Sequence, residues 1–131
     1  MITTNSAGEL AGLRVFVAED EIHVLQMIED MLVDLGCAIT DSVTSAPTAL
    51  ERAAVTEAQV ALLDVNLRGQ PIFPVAQILR DRGIPMLFAS GYGAGGIEAE
   101  WRSCPIIQKP FAFEQLEAAL RQLVGRKPQD A

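Results

Sequence analysis

The sequence has few cysteines, few lysines and no long apolar run. Its two cysteines, Cys37 and Cys104, are too few for a disulfide framework. No basic stretch precedes an apolar one at the N-terminus, so we expect a reduced, cytoplasmic protein. Charged or small polar residues interrupt every apolar run well before the roughly 20 residues that crossing a bilayer requires, which predicts no membrane-spanning role.

The charge balance argues against nucleic acid as a partner. Seventeen acidic residues outnumber ten basic ones, giving a formal net charge of −7. The lysines and arginines are scattered singly, so no basic stripe is available to neutralise phosphates along a duplex. We therefore expect no direct binding to nucleic acid.

The length and the apolar pattern indicate one domain with a parallel sheet. A chain of 131 residues can bury roughly two-thirds of its unfolded surface. Residues 1–12 are small and polar and predict a flexible leader, residues 13–125 predict the domain, and residues 126–131 predict a tail. Within the domain, short apolar runs alternate about five times with stretches of helical period, which is typical of βα units.

Five helices are predicted from the periodicity and the turn residues. The first is the clearest, with Ile22 among its apolar positions and Gly36 as its stop, and a second follows Ser45 as N-cap. The others are predicted over residues 73–82, somewhere in 97–102, where Trp101 would pack a short helix on the sheet, and over 113–124. The fold class is α/β, a (βα)5 flavodoxin-like doubly wound parallel sheet with strand order 2-1-3-4-5.

Polar residues stand where the predicted strands end. A buried strand has no ordinary use for a carboxylate at its end, yet Asp64 closes the apolar run 60–63. The other strand ends carry Glu19 and Asp20 after the first, Ser90 after the fourth and Lys109 after the fifth. In open α/β sheets, ligands bind outside the carboxyl ends of the strands, at the point where the strand order reverses. With strands one and three adjacent, Glu19, Asp20 and Asp64 should converge.

Converging carboxylates call for a cation. At about 5 Å and an effective dielectric near 20, each ionised pair repels by roughly 3 kcal/mol, so the site should take up protons or a divalent ion. Oxygen ligands in an open pocket suit Mg²⁺, which also favours phosphate oxygens. Phosphoryl transfer would then use Asp64 as nucleophile, Ser90 as hydroxyl donor and Lys109 as fixed positive charge. Lys109 is one of only two lysines, and Pro110 restricts its backbone.

These residues give the chain a resemblance to a known family from about Arg14 to Val124. Glu19-Asp20-Glu21, Asp64, Ser90 and Lys109-Pro110-Phe111 are similar to the motifs of a receiver domain of a two-component response regulator. The resemblance implies that Asp64 accepts a phosphoryl group from a partner kinase's phosphohistidine. It also implies that Asp20, Asp64 and the backbone carbonyl of Asn66 bind Mg²⁺, with Glu19 acting on the metal directly or through water. Ser90 and Lys109 would then contact phosphoryl oxygens.

One position departs from the family pattern. Receivers usually carry Tyr or Phe three residues before the lysine, and here the residue is Ile106. The run 88–93 instead resembles a branch of stand-alone receivers nicknamed FAT GUY. That resemblance implies a kinase of the HWE class or a relative as donor, with Tyr92 or the loop around it taking over part of the switching. The expected switch region is therefore Gly91, Tyr92 and Ile106, the last being the position where the usual aromatic residue is missing.

The resemblance implies a signalling domain and not an enzyme. Its expected partners are a sensor histidine kinase or phosphotransfer protein and a downstream protein target, since nothing after Val124 predicts an output domain. The alternative is a receiver-like interaction module that no longer takes phosphate. An aspartate-nucleophile phosphatase or dehalogenase is disfavoured because Asn66 stands where that class has a second Asp. A dinucleotide site at the glycine-rich run 91–96 is disfavoured because Lys109 lies where an acid is expected.

Overall fold

A five-stranded parallel sheet forms the centre of the molecule. A computed structural model of the chain describes residues 9–91 and 97–125. Along the chain the elements are β1 (Arg14–Ala18), α1 (Ile22–Asp34), β2 (Ala38–Val43), α2 (Ala46–Val55), β3 (Val60–Asp64), β4 (Asn66–Leu67), β5 (Gln70–Pro71), α3 (Phe73–Asp81), β6 (Met86–Ser90), a 3₁₀ helix (Ala99–Trp101), β7 (Ile106–Gln108) and α4 (Phe113–Val124). The order in the sheet is β2-β1-β3-β6-β7, which confirms the predicted flavodoxin-like topology.

Alternate residues of the strands supply two separate cores. One face of the sheet packs against α1 and α4, with Val15, Val17 and Leu62 buried beneath them. The other packs against α2 and α3 through neighbouring strand residues such as Phe16 and Leu63. Because successive side chains of a strand point to opposite faces, a fully buried strand such as β3 contributes side chains to both layers. The domain is therefore doubly wound, as predicted.

The short helix predicted somewhere within residues 97–102 is present as a 3₁₀ helix. The described segment forms a single 3₁₀ turn, Ala99–Trp101, closed by bonds such as Trp101 N–H to the Glu98 carbonyl at 2.9 Å. Glu98, Ala99 and Glu100 are exposed, so the segment lacks the apolar stripe that would stabilise a longer helix. Trp101 is buried against Phe88 of β6, as predicted, at a ring-centroid distance of 5.9 Å.

Two predicted features near the N-terminus need correction. Residues 1–8 of the predicted leader lie outside the described residues, but Leu10 is fully buried in the core and Gly12 N–H donates to the Gly36 carbonyl at 2.8 Å. The chain therefore packs on the domain from about residue 10. Ile22 follows the apolar spacing of α1, yet it is 61% exposed; the buried residues of this helix are Leu25, Ile28 and Leu32.

The helix ends follow local chemistry where the sequence indicated it. Gly36 and Gly83 have φ values of 87° and 76°, and this left-handed conformation is the usual way for glycine to end a helix. Helix α4 spans Phe113–Val124, the predicted range.

In the part of the chain that the structure describes, none of the helices has the length and apolar character that a bilayer span requires. The predicted tail, residues 126–131, lies outside the described residues.

Candidate functional site

The carboxyl ends of β1 and β3 bring three acids together. These strands are hydrogen-bonded neighbours, with Ala18 level with Leu63, so the residues that follow them emerge side by side. Glu19, Asp20 and Asp64 each offer a carboxylate oxygen, and these oxygens all lie within 4.8 Å of one another. Glu19 is fully buried and Asp64 is 6% exposed, whereas Asp20 is only half-buried. The predicted convergence of the three carboxylates is thus present.

Lys109 lies between two of these carboxylates. Its Nζ donates to Glu19 Oε1 at 3.0 Å and Oε2 at 3.3 Å, and to Asp64 Oδ2 at 3.0 Å. The backbone brings it there, because Lys109 N–H donates to the Ser90 carbonyl at 2.8 Å and ties the end of β7 to the end of β6. The peptide bond from Lys109 to Pro110 is cis. One ammonium group therefore neutralises part of the charge of two acids.

Burial and the hydrogen bonds of Glu19 and Lys109 shift the pKa of each group in opposing directions. Burial is the largest influence on Glu19 and raises its pKa above the ordinary value, while the bonds from Glu21 N–H and Lys109 oppose that rise. Burial alone would lower the pKa of Lys109. The hydrogen bonds and negative charges of Asp64 and Glu19 outweigh it and raise the pKa of Lys109 above its ordinary value. The ammonium form is therefore favoured throughout the neutral pH range.

A short hairpin made by β4 and β5 supplies main-chain hydrogen-bond donors to Asp64 and Asp20. Asn66 N–H donates to Asp64 Oδ1 at 3.2 Å, and Arg68 N–H donates to Asp20 Oδ2 at 2.7 Å. Glu19 has a donor of its own, because Glu21 N–H reaches its Oε2 at 3.0 Å. Each of the three carboxylates is thus held by a backbone N–H from the segment that follows β1 or β3.

The other predicted site residues that the structure describes are Ser90, Gly91, Asn66 and Ile106. Ser90 is the last residue of β6 and is fully buried, and Gly91 follows it at the surface. Asn66 lies in β4, where its side-chain Oδ1 accepts from Gly69 N–H at 2.7 Å. Ile106 is half-buried and packs against the core on the face of the sheet covered by α2 and α3. Tyr92, the third member of the predicted switch region, lies outside the described residues.

The donor set fits a hard divalent cation. Carboxylate oxygens are the available ligands, and those of Asp20 are partly open to solvent, which suits a metal that keeps several of its waters. Glu19 is the least available of the three, because both of its oxygens accept from Lys109 and one also accepts from Glu21. Asp20 and Asp64 are therefore the acids best placed to bind Mg²⁺.

Sequence reasoning gave no role to two residues whose backbone N–H groups hold the acids of the site, Glu21 and Arg68. Glu21 caps α1 through its side chain, which accepts from His23 N–H, and its own N–H holds Glu19. Arg68 reaches Asp20 across 48 positions of the chain. The acid at position 21 was visible as part of a motif. No local pattern, however, indicates that the segment around Arg68 touches Asp20.

Comparison with known proteins places this site in a family. The chain is 34% identical to SdrG from Sphingomonas melonis Fr1, with 88% of this chain and 98% of that one covered at a TM-score of 0.77. The two-component response regulator PhoP of Pseudomonas aeruginosa is 29% identical over 87% of this chain and 52% of its own length. The receiver domain of the Pseudomonas aeruginosa histidine kinase PA1611 shares the fold at 22% identity and a TM-score of 0.72, over 88% and 100% of the two chains, and that structure has a magnesium ion in its active-site cleft.

The fold and the strand-end cluster define an α/β domain with an acidic site at the carboxyl edge of its parallel sheet, and the comparisons give its family. The chain belongs to the receiver domains of two-component response regulators. It spans about half the length of the curated relatives it matches. No protein-family model matches the chain.

Proposed function

We propose that this receiver domain accepts a phosphoryl group on Asp64 from the phosphohistidine of a sensor histidine kinase or a phosphotransfer protein. The single observation that supports this best is the position of Asp64: a nearly buried carboxylate, 3.0 Å from the Lys109 ammonium, in a cluster of acids at a strand end. Such an arrangement suits a carboxylate nucleophile beside a fixed cation, because the cation can stabilise negative charge on the carboxylate and then on the transferred group.

In the proposed transfer, a carboxylate oxygen of Asp64 attacks phosphorus. The bond from phosphorus to the donor's imidazole nitrogen breaks, and its electron pair returns to that nitrogen. Asn66 N–H fixes the orientation of the Asp64 carboxylate, and Lys109 can follow the negative charge from the carboxylate to a phosphoryl oxygen. Ser90, adjoining Lys109 through the backbone, would donate its hydroxyl to another phosphoryl oxygen.

The proposal includes Mg²⁺ held by Asp20, Asp64 and the backbone carbonyl of Asn66. The ion would neutralise charge on the transferred group, as metal ions generally do in phosphoryl transfer. In support, the three acids lie within one ion's reach. The domain would act as a signalling component and not as an enzyme on other substrates, passing its state to a downstream protein. Its location in the cytoplasm and an HWE-class kinase as donor remain predictions from the sequence.

The test is incubation with Mg²⁺ and acetyl phosphate, followed by intact-mass measurement. Wild type should gain the mass of one phosphoryl group, and Asp64→Asn should gain none. Asp34→Asn, which alters an exposed acid on α1, serves as the matched control and should be phosphorylated like wild type. An unmodified wild type, with a known receiver labelled in the same buffer, would leave the alternative of a receiver-like module that no longer takes phosphate.

A further inference from the structure

The short hairpin β4–β5 contacts two acids of the site and is itself held firmly in the domain. It follows Asp64 directly and is anchored by Leu67 and Ile72, both fully buried. Ile72 N–H also donates to the Val65 carbonyl at 3.0 Å, which closes the base of the hairpin. The hairpin is therefore part of the packed domain, and its tip has a fixed position relative to β3.

The tip of the hairpin has an unusual backbone. Arg68 has a φ of 53° and Gly69 a φ of 85°, so both central residues of the turn are left-handed. Glycine adopts this conformation freely, but a residue with a side chain such as Arg68 seldom does. The Asn66 side chain stabilises the turn, because its Oδ1 accepts from Gly69 N–H at 2.7 Å. This conformation directs the Arg68 N–H toward Asp20.

One hairpin thus holds two of the three acids. Asn66 N–H donates to Asp64 and Arg68 N–H donates to Asp20, at 3.2 and 2.7 Å. Without the second bond, the half-exposed Asp20 carboxylate would be free to rotate away from the negative charge of Asp64. Loss of a group that orients a metal ligand in this way commonly lowers metal affinity by about 10- to 100-fold.

We propose that Arg68 is a positioning residue of the cation site, acting through its left-handed backbone and not through its guanidinium group. The Arg68 N–H occupies Oδ2 of Asp20 and leaves the other oxygen for the ion. This inference rests on the proposed function, since it concerns the same Mg²⁺ site.

Two substitutions at one position separate the backbone from the side chain. Arg68→Val and Arg68→Asn both remove the positive charge, but Asn tolerates a left-handed backbone whereas a β-branched residue does not. We expect Arg68→Val to weaken Mg²⁺ binding about tenfold, measured by isothermal titration calorimetry. Arg68→Asn should keep an Mg²⁺ affinity close to that of wild type. Asn66→Ala, which removes the acceptor of Gly69 N–H but keeps the backbone, should also weaken binding.

A second readout needs no metal. Amide hydrogen exchange at Arg68 should be slow in wild type and fast in Asp20→Ala, because that substitution removes the acceptor of the bond. Equal Mg²⁺ affinities for Arg68→Val and Arg68→Asn, with wild type binding the ion, would overturn the inference and leave the proposed function intact. A wild type that binds no Mg²⁺ would overturn both the inference and the metal dependence of the proposed function.

Discussion

Lys109 gives the sharpest test of the electrostatics, because one ammonium group serves two buried acids. The perturbation is Lys109→Met, which keeps most of the side-chain volume and removes the charge. Glu19 and Asp64 would then face each other without the cation that now lies 3.0 Å from an oxygen of each. The Glu19 side chain is fully buried and that of Asp64 is 8% exposed, so water cannot readily replace the lost partner.

The expected size of the effect follows from these distances. At 3 Å and an effective dielectric of 20, each attraction amounts to about 5 kcal/mol, from which the cost of partly burying the ammonium must be subtracted. Breaking a buried ion pair by removing one partner costs about 3–5 kcal/mol. Lys109 retains 22% exposure, so we expect the lower end, about 3 kcal/mol of the free energy of unfolding.

The assay is urea unfolding in metal-free buffer at neutral pH. If the proposed Mg²⁺ site is present, adding Mg²⁺ should recover part of the loss, because an ion held by the native acids stabilises the folded chain over the unfolded one. The double variant Lys109→Met with Glu19→Gln should be more stable than Lys109→Met alone, since it removes one of the two unpaired charges. A loss below about 1 kcal/mol, with no gain from the second substitution, would refute this account of the site.

Three further outcomes are expected. The pKa of Lys109 is raised, so its stabilisation is complete below about pH 10.4 and is lost as pH rises through the raised value; wild type should therefore lose stability more steeply than Lys109→Met in alkaline unfolding titrations. Leu10→Ala should cost about 2–4 kcal/mol in urea unfolding, because Leu10 is fully buried; a negligible loss would restore the prediction of a flexible leader. Asp41→Ala should cost about 1–3 kcal/mol, because the buried Thr56 hydroxyl and Arg52, whose Nε lies 2.7 Å from Asp41 Oδ1, lose their acceptor; if Thr56→Val costs as much in the Asp41→Ala background as in wild type, the three do not act together.

Much of the fold could be predicted because its signals are local. The apolar strand runs, the period of α1 and α4 and the glycines that end helices each depend on neighbours in the chain. The 3₁₀ turn at Ala99–Trp101 could not, because its few apolar anchors fit more than one kind of helix. The burial of Leu10 was also hidden, since a single leucine in a polar segment gives no periodicity.

The acids of the site were predicted for a similar reason. A carboxylate at the end of an apolar run stands out in the sequence, and a parallel sheet brings such ends to one edge. The sequence does not show which partner each acid contacts. Glu19 was expected to act on the metal, but its oxygens are engaged by Lys109 and Glu21. That assignment of partners depends on where the side chains meet in the folded protein.

The sequence by itself therefore determined the topology and placed Asp64, its acidic neighbours and Lys109 at one edge of the sheet. Only the tertiary structure decided which hydrogen-bond donor contacts which carboxylate. Lys109 meets Glu19 across 90 positions and Asp64 across 45, and the Arg68 amide meets Asp20 across 48. Contacts at such separations have no local signature, because they form only when the strands have paired and the loops have packed against them.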